Sequence, residues 1–71
     1  MLLRLKRERL LKGDWTQAYV AEQLGLTRQA FNQIETGKRK PSYEVMIKLE
    51  NLFGMSHREL FSLVDDKPDS A

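Results

Sequence analysis

The sequence predicts an all-α fold, a bundle of five short helices, and three observations predict it. Apolar residues recur at helical spacing almost throughout. No alternating β-branched run marks a strand. Glycines at 13, 25, 37 and 54 each follow a periodic segment, where a helix stops and the chain needs a tight turn. The chain has 71 residues, enough for one small domain over residues 1–64 with one modest core. At that size the core is marginal, which favours economical helix packing and dimerisation as a further aid.

The first helix is predicted over about residues 2–12, with Leu2, Leu5 and Leu10 as its inward candidates, ending near Gly13. Thr16 is the N-cap of a second helix running to about Leu24. Trp15 before the cap and Val20 at the fourth helical position have the spacing of a hydrophobic staple. Thr27 caps the third helix, which ends at Gly37. Pro41-Ser42 opens the fourth, whose stripe is Val45, Met46, Leu49, Leu52 and Phe53. Ser56-His57-Arg58-Glu59 reads as a capping box for the last helix, which buries Leu60 and either Leu63 or Val64. Residues 65–71 are acidic, contain a proline and lack large apolar groups, the composition of a disordered tail.

Several functional classes are disfavoured. The chain has no cysteine, which removes disulfides and thiolate metal sites and fits a reducing compartment. No run of about 18 apolar residues is present to span a bilayer, and Arg4 interrupts Met1-Leu2-Leu3 before a signal-peptide core forms. A cytoplasmic protein without a membrane partner is expected. The single histidine, His57, stands at a helix start without a nucleophile or metal-ligand cluster, so neither an enzyme nor a metal or cofactor site is expected.

Charge is distributed unevenly. Residues 1–40 carry nine Lys/Arg against four Asp/Glu, a balance of +5, whereas residues 41–71 carry three against six, a balance of −3. A basic first half attracts a polyanion, although a solvated charged surface gives the same count.

Only Gly25-Leu26-Thr27 joins the second and third helices, which forces a sharp angle and exposes one flank of the third. At about 100° per residue, Ala30, Phe31 and Ile34 fall on one side of that helix. Arg28, Gln29, Asn32, Gln33 and Thr36 spread across the other. The run from Thr16 to Ser42, TQAYVAEQLGLTRQAFNQIETGKRKPS, resembles the Cro/phage-repressor type of helix-turn-helix, the XRE family. Thr16-Gln17, Ala21, Leu24-Gly25, Thr27, Phe31, Ile34-Glu35, Gly37 and Pro41-Ser42 match its pattern. Leu52-Phe53-Gly54-Met55-Ser56 and Glu59-Leu60-Phe61 look like its fourth and fifth helices, so the likeness covers about residues 4–62. The chain departs from the pattern in three places. It has one extra residue between Gly13 and Thr16, Glu50 where alanine is usual, and Tyr19 where an acid would complete a capping box.

The resemblance implies a lambda-repressor-like bundle whose third helix enters the major groove of double-stranded DNA. Arg pairs with guanine O6/N7, and Gln and Asn with adenine N6/N7. Arg28 and Gln29 are thus the leading base-reading candidates, followed by Gln33, with Asn32 reading a base or holding a phosphate. Gln17, at the first position of helix two, suits a phosphate, and the resemblance has it also steady a recognition-helix side chain. Thr27, Thr36, Lys38, Arg39 and Lys40 are the remaining phosphate candidates, and the three cations are equally compatible with a solvated loop. Arg9 and Glu35 match family positions that form an ion pair tying helix one to the recognition helix.

Relatives of this kind imply a transcriptional regulator, a repressor, acting as a homodimer on a near-palindromic operator with half-sites about 34 Å apart. Ile47, opposite the core stripe of helix four, and Phe61 with Leu63 or Val64 are the candidate dimer patch. The alternative is a protein-interaction module, such as an antitoxin or co-activator, that uses the same fold chiefly to bind a protein partner.

Overall fold

The structure is a computed structural model that describes residues 2–64. The acidic segment 65–71, expected to be a tail, lies outside them. In chain order the elements are β1 (Leu2–Leu3), α1 (Arg4–Leu11), α2 (Gln17–Leu24), α3 (Arg28–Glu35), α4 (Tyr43–Phe53), α5 (His57–Leu60) and β2 (Leu63–Val64). Among the described residues five helices are therefore present, as the periodicity predicts, together with a minimal antiparallel ribbon that pairs Leu2 with Val64 and Leu3 with Leu63.

Four of the five helices start on the hydroxyl that the sequence singles out. The Tyr19, Ala30, Val45 and Glu59 amides donate to the side-chain oxygens of Thr16, Thr27, Ser42 and Ser56. Each such cap contributes about 1 kcal/mol. Gly25 closes α2 at φ 72°, a left-handed conformation that costs any residue with a Cβ about 1–2 kcal/mol. The Leu26 amide then reaches back to the Ala21 carbonyl at 2.8 Å, and this turn sets the angle at which α3 leaves α2.

The core is one cluster drawn from all five helices. Leu5, Val20, Phe31, Leu49 and Leu60 are fully enclosed, and Ala21, Leu24, Ile34, Val45 and Phe53 complete it. Met46 and Leu52, at the edges of the α4 stripe, are half-buried.

Within the described residues, the expectations fail at the first and last elements. Leu2 and Leu3 are extended rather than helical, because α1 has no capping side chain of its own. Its first amide, on Arg4, donates instead to the Ser62 carbonyl at 2.8 Å, which draws the two chain segments into a ribbon. Leu10 points outward and is 56% exposed, because Arg9 takes the inward position of the last turn. The final helix is a single turn, so Leu63 falls in β2 and is 61% exposed, while Val64 is half-buried. Ser56 supplies only half of a capping box. The reciprocal bond from Glu59 to the Ser56 amide is not among the hydrogen bonds of the described residues, and the next amide, of His57, donates to Glu50 Oε2 at 2.8 Å.

Candidate nucleic-acid interface

Helix α3 is amphipathic by design of its sequence. Phe31, Ile34 and Glu35 are buried, and Ala30 is half-buried. On the opposite arc Arg28, Gln29 and Thr36 are exposed, and Asn32 and Gln33 are half-buried. The four base-reading candidates thus lie on one face, with Arg28 and Gln29 in the first turn. Long polar side chains at the start of an exposed helix are the groups that reach base edges.

The phosphate candidates are less uniform. The Thr27 hydroxyl accepts the Ala30 amide at 3.1 Å, which leaves its own proton to donate. The Thr36 hydroxyl already donates to the Asn32 carbonyl at 2.8 Å, so it reaches a phosphate only by giving up that bond. Lys38, Arg39 and Lys40 are exposed on the loop between α3 and α4. The Lys38 and Arg39 amides are fixed to the Gln33 carbonyl at 2.8 and 3.1 Å, which holds the start of this cationic loop against the end of α3. The Arg/Lys–carboxylate ion pairs among the described residues are Arg4–Glu8 and Arg9–Glu35, His57 Nδ1 lies 2.8 Å from Glu50 Oε2, and none of these contacts uses the loop cations.

Glu35 is 2% exposed, a carboxylate that the interior tolerates only when fully partnered. Arg9 Nε donates to Glu35 Oε2 at 2.7 Å and Arg9 Nη2 to Oε1 at 3.2 Å, a two-pronged contact. Gln17 Nε2 adds a third bond, to Oε1, at 2.8 Å. Arg9 Nη1 in turn donates to the Trp15 carbonyl at 2.8 Å. One network therefore fixes α1, the α1–α2 loop, the start of α2 and the end of α3. Thr16 caps the Tyr19 amide, so the amides of Gln17 and Ala18, in the first turn of α2, have no acceptor within the helix and suit an anion.

The extra residue before Thr16 is absorbed by Trp15. Its ring meets Phe53 edge-on at 5.4 Å and Tyr19 at 5.3 Å, and Lys12 Nζ lies 5.2 Å from its centroid. Two contributors were not legible from the sequence. The Trp15 carbonyl is a backbone acceptor and has no side-chain signature. The Glu50–His57 contact joins residues seven apart across Gly54, and its one signal was an acid where alanine is usual.

Residues 5–60 match the model of a helix-turn-helix family, and the chain belongs to that family, of the XRE type. Among curated relatives, the chain is 42% identical over 53 residues to the "SPbeta prophage-derived uncharacterized HTH-type transcriptional regulator YonR" of Bacillus subtilis, covering 75% of this chain and 48% of that protein. It is 36% identical over 52 residues to the "Uncharacterized HTH-type transcriptional regulator MJ0272" of Methanocaldococcus jannaschii, covering 73% of this chain and 79% of that one. A third, the "Uncharacterized HTH-type transcriptional regulator y4dJ" of Sinorhizobium fredii, is 34% identical over 65 residues, 92% of this chain and 79% of its own. The match thus spans about half of the Bacillus relative and about four fifths of the other two. No solved structure matches the chain. No helix among the described residues is long and apolar enough to cross a membrane, and no group of three or more His, Cys, Asp or Glu there is arranged to hold a metal ion.

Proposed function

We propose that the protein is a sequence-specific DNA-binding transcriptional regulator, a cytoplasmic repressor that lays α3 in the major groove of a near-palindromic operator as a homodimer. The observation that carries this reading is the outward arc of α3, with Arg28, Gln29, Asn32 and Gln33 on one face beside a loop of three cations. Base edges are read by Arg28, Gln29 and Gln33, with Asn32 on a base or a phosphate. Gln17, Thr27, Lys38, Arg39 and Lys40 hold the flanking backbone, joined by Thr36 if its helix bond is exchanged. The names of the relatives, all HTH-type transcriptional regulators, support the same class.

Burying Glu35 under Arg9 and Gln17 suits this role. A bare carboxylate on the helix that meets DNA would repel phosphate, whereas a partnered one serves as an anchor. For the dimer, exposed Ile47 and Leu63 support an isologous apolar contact. Phe61 is half-buried against the core at the margin of this patch.

Selection of bound sites from random duplexes tests the reading. A two-fold consensus with half-sites about 34 Å apart is expected. Arg28→Ala should then weaken binding by ~1–3 kcal/mol and relax preference at one base pair per half-site. A uniform loss over all sequences would instead make Arg28 a phosphate anchor. Failure to enrich any duplex leaves the protein-interaction module, an antitoxin or co-activator acting through a protein partner, as the standing alternative.

A further inference from the structure

The loop after α3 forms one wall of a cavity of about 360 Å³ where β1, α3, α4 and α5 converge. Its apolar lining comes from Leu3, Ile34, Pro41, Met46 and Phe61. Ile34 belongs to the core, whereas the other four are half-buried and keep part of their surface accessible. Arg39, Lys40 and His57 supply the polar side chains, and no acid lines the cavity among the described residues. The amide and Nδ1 of His57 are both engaged by Glu50, which is not one of the lining residues. Arg39 and Lys40 therefore carry the net charge of the site.

That volume lies near the lower end of the ~300–1,000 Å³ typical of small-molecule pockets. The apolar lining offers no side-chain donor or acceptor to a sugar hydroxyl or a nucleobase, and burying such groups unpaired costs about 1–3 kcal/mol each. An apolar body meets no such penalty there. Met46 is an unbranched, polarisable side chain of the kind that adjusts to an imperfect fit. At the polar end, the planar guanidinium of Arg39 matches the two oxygens of one carboxylate, and Lys40 adds a second cation.

We infer that this cavity is a binding site for a small amphiphilic carboxylate, its head held by Arg39 and Lys40 and its apolar body lying on Leu3, Met46 and Phe61. Both cations also line a neighbouring cavity with Ala30 of α3 and Ser42 at the start of α4, so they stand between the site and the flank of α3. A bound carboxylate therefore competes with phosphate for the same two side chains. That competition rests on the function proposed above, whereas binding of the carboxylate does not. Because phosphate contacts carry no sequence information, the ligand lowers affinity for every duplex alike.

Titration of the full chain with octanoate, followed in amide spectra of the free protein, tests the site. Saturable shifts centred on Leu3, Gly37, Arg39, Lys40 and Phe61 are expected. Acetate, which lacks the body, and octanol, which lacks the charge, should each bind at least about tenfold more weakly. R39Q/K40Q should weaken octanoate by about tenfold. K12Q/K48Q removes the same charge from exposed positions outside the lining and should change octanoate affinity by less than about twofold. Shifts that stay linear in octanoate or centre elsewhere overturn the inference, as does equal binding of octanol or an equal loss in the control variant. With a duplex that binds, saturating octanoate at constant ionic strength should weaken it about three- to tenfold, and acetate at the same concentration should not. An unchanged duplex affinity would overturn the competition for these cations. If octanoate binds here and no duplex ever does, the site stands and the regulator reading fails.

Discussion

Glu35 sits where a helix read as the DNA-facing element turns its remaining flank inward, and its three hydrogen bonds make it the hinge of the molecule's polar interior. Removing Arg9 leaves that carboxylate enclosed with only the Gln17 amide to stabilise it. Arg9→Met is expected to cost about 3–5 kcal/mol, the range for breaking one side of a buried pair. The double variant Arg9→Met/Glu35→Leu should recover most of that loss, because two apolar side chains no longer need partners there. Urea titrations of the two single variants and the double measure the coupling, and additive losses would show the pair to be energetically independent. Individual side chains of the interface differed in how readable they were. The outward arc of α3 follows from a 100° step along the sequence. The link between Arg9 and Glu35, 26 positions apart, came only through family resemblance, since no local rule connects such distant residues. The third partner on Arg9, the Trp15 carbonyl, was hidden from both.

Elements with their own capping side chain were legible, and those that borrow a cap were not. Thr16, Thr27, Ser42 and Ser56 each start a helix where predicted. Helix α1 has no such residue, takes the Ser62 carbonyl instead, and starts two residues later than the apolar pattern suggests. Strands of two residues show no alternation, so the β1–β2 ribbon leaves no trace in the sequence. The α4–α5 corner is a second borrowed cap. Glu50 accepts both the backbone amide and Nδ1 of His57 through one oxygen, at 2.8 Å each. These bonds, led by the one to the His57 side chain, hold the Glu50 carboxyl below its usual 4.5. A carboxyl with a lowered folded value stabilises the fold fully above the unfolded value and loses that contribution as the pH falls through the folded one. Glu50→Gln should therefore be less stable than the parent at neutral pH, and the gap should close as the pH falls through the carboxyl's lowered folded value. Urea midpoints followed from neutral to acidic pH check this, and a gap that persists at the acid end would place the stabilisation in packing rather than in charge.

At the scale of the whole molecule, the fold places two kinds of contact side by side. On the function proposed above, the exposed face of α3 meets base edges and the three loop cations beside it meet the backbone. The network on Glu35 connects the two, because α1, α2 and α3 share it and the Lys38 and Arg39 amides are tied to the end of α3. Base contacts set preference among sequences, whereas each phosphate contact adds about 0.9 to the magnitude of the slope of log affinity against log salt. Lys38→Ala should therefore weaken binding to selected and scrambled duplexes by similar factors. In a homodimer the change removes one phosphate contact from each protomer, so the slope should shrink by about 1.8, against about 0.9 for a monomer. Anisotropy titrations from 50 to 300 mM salt on a full site and on a half-site read both values from one variant. An unchanged slope would assign Lys38 to solvent, and a loss of 0.9 on the full site would mean that one protomer alone engages the DNA.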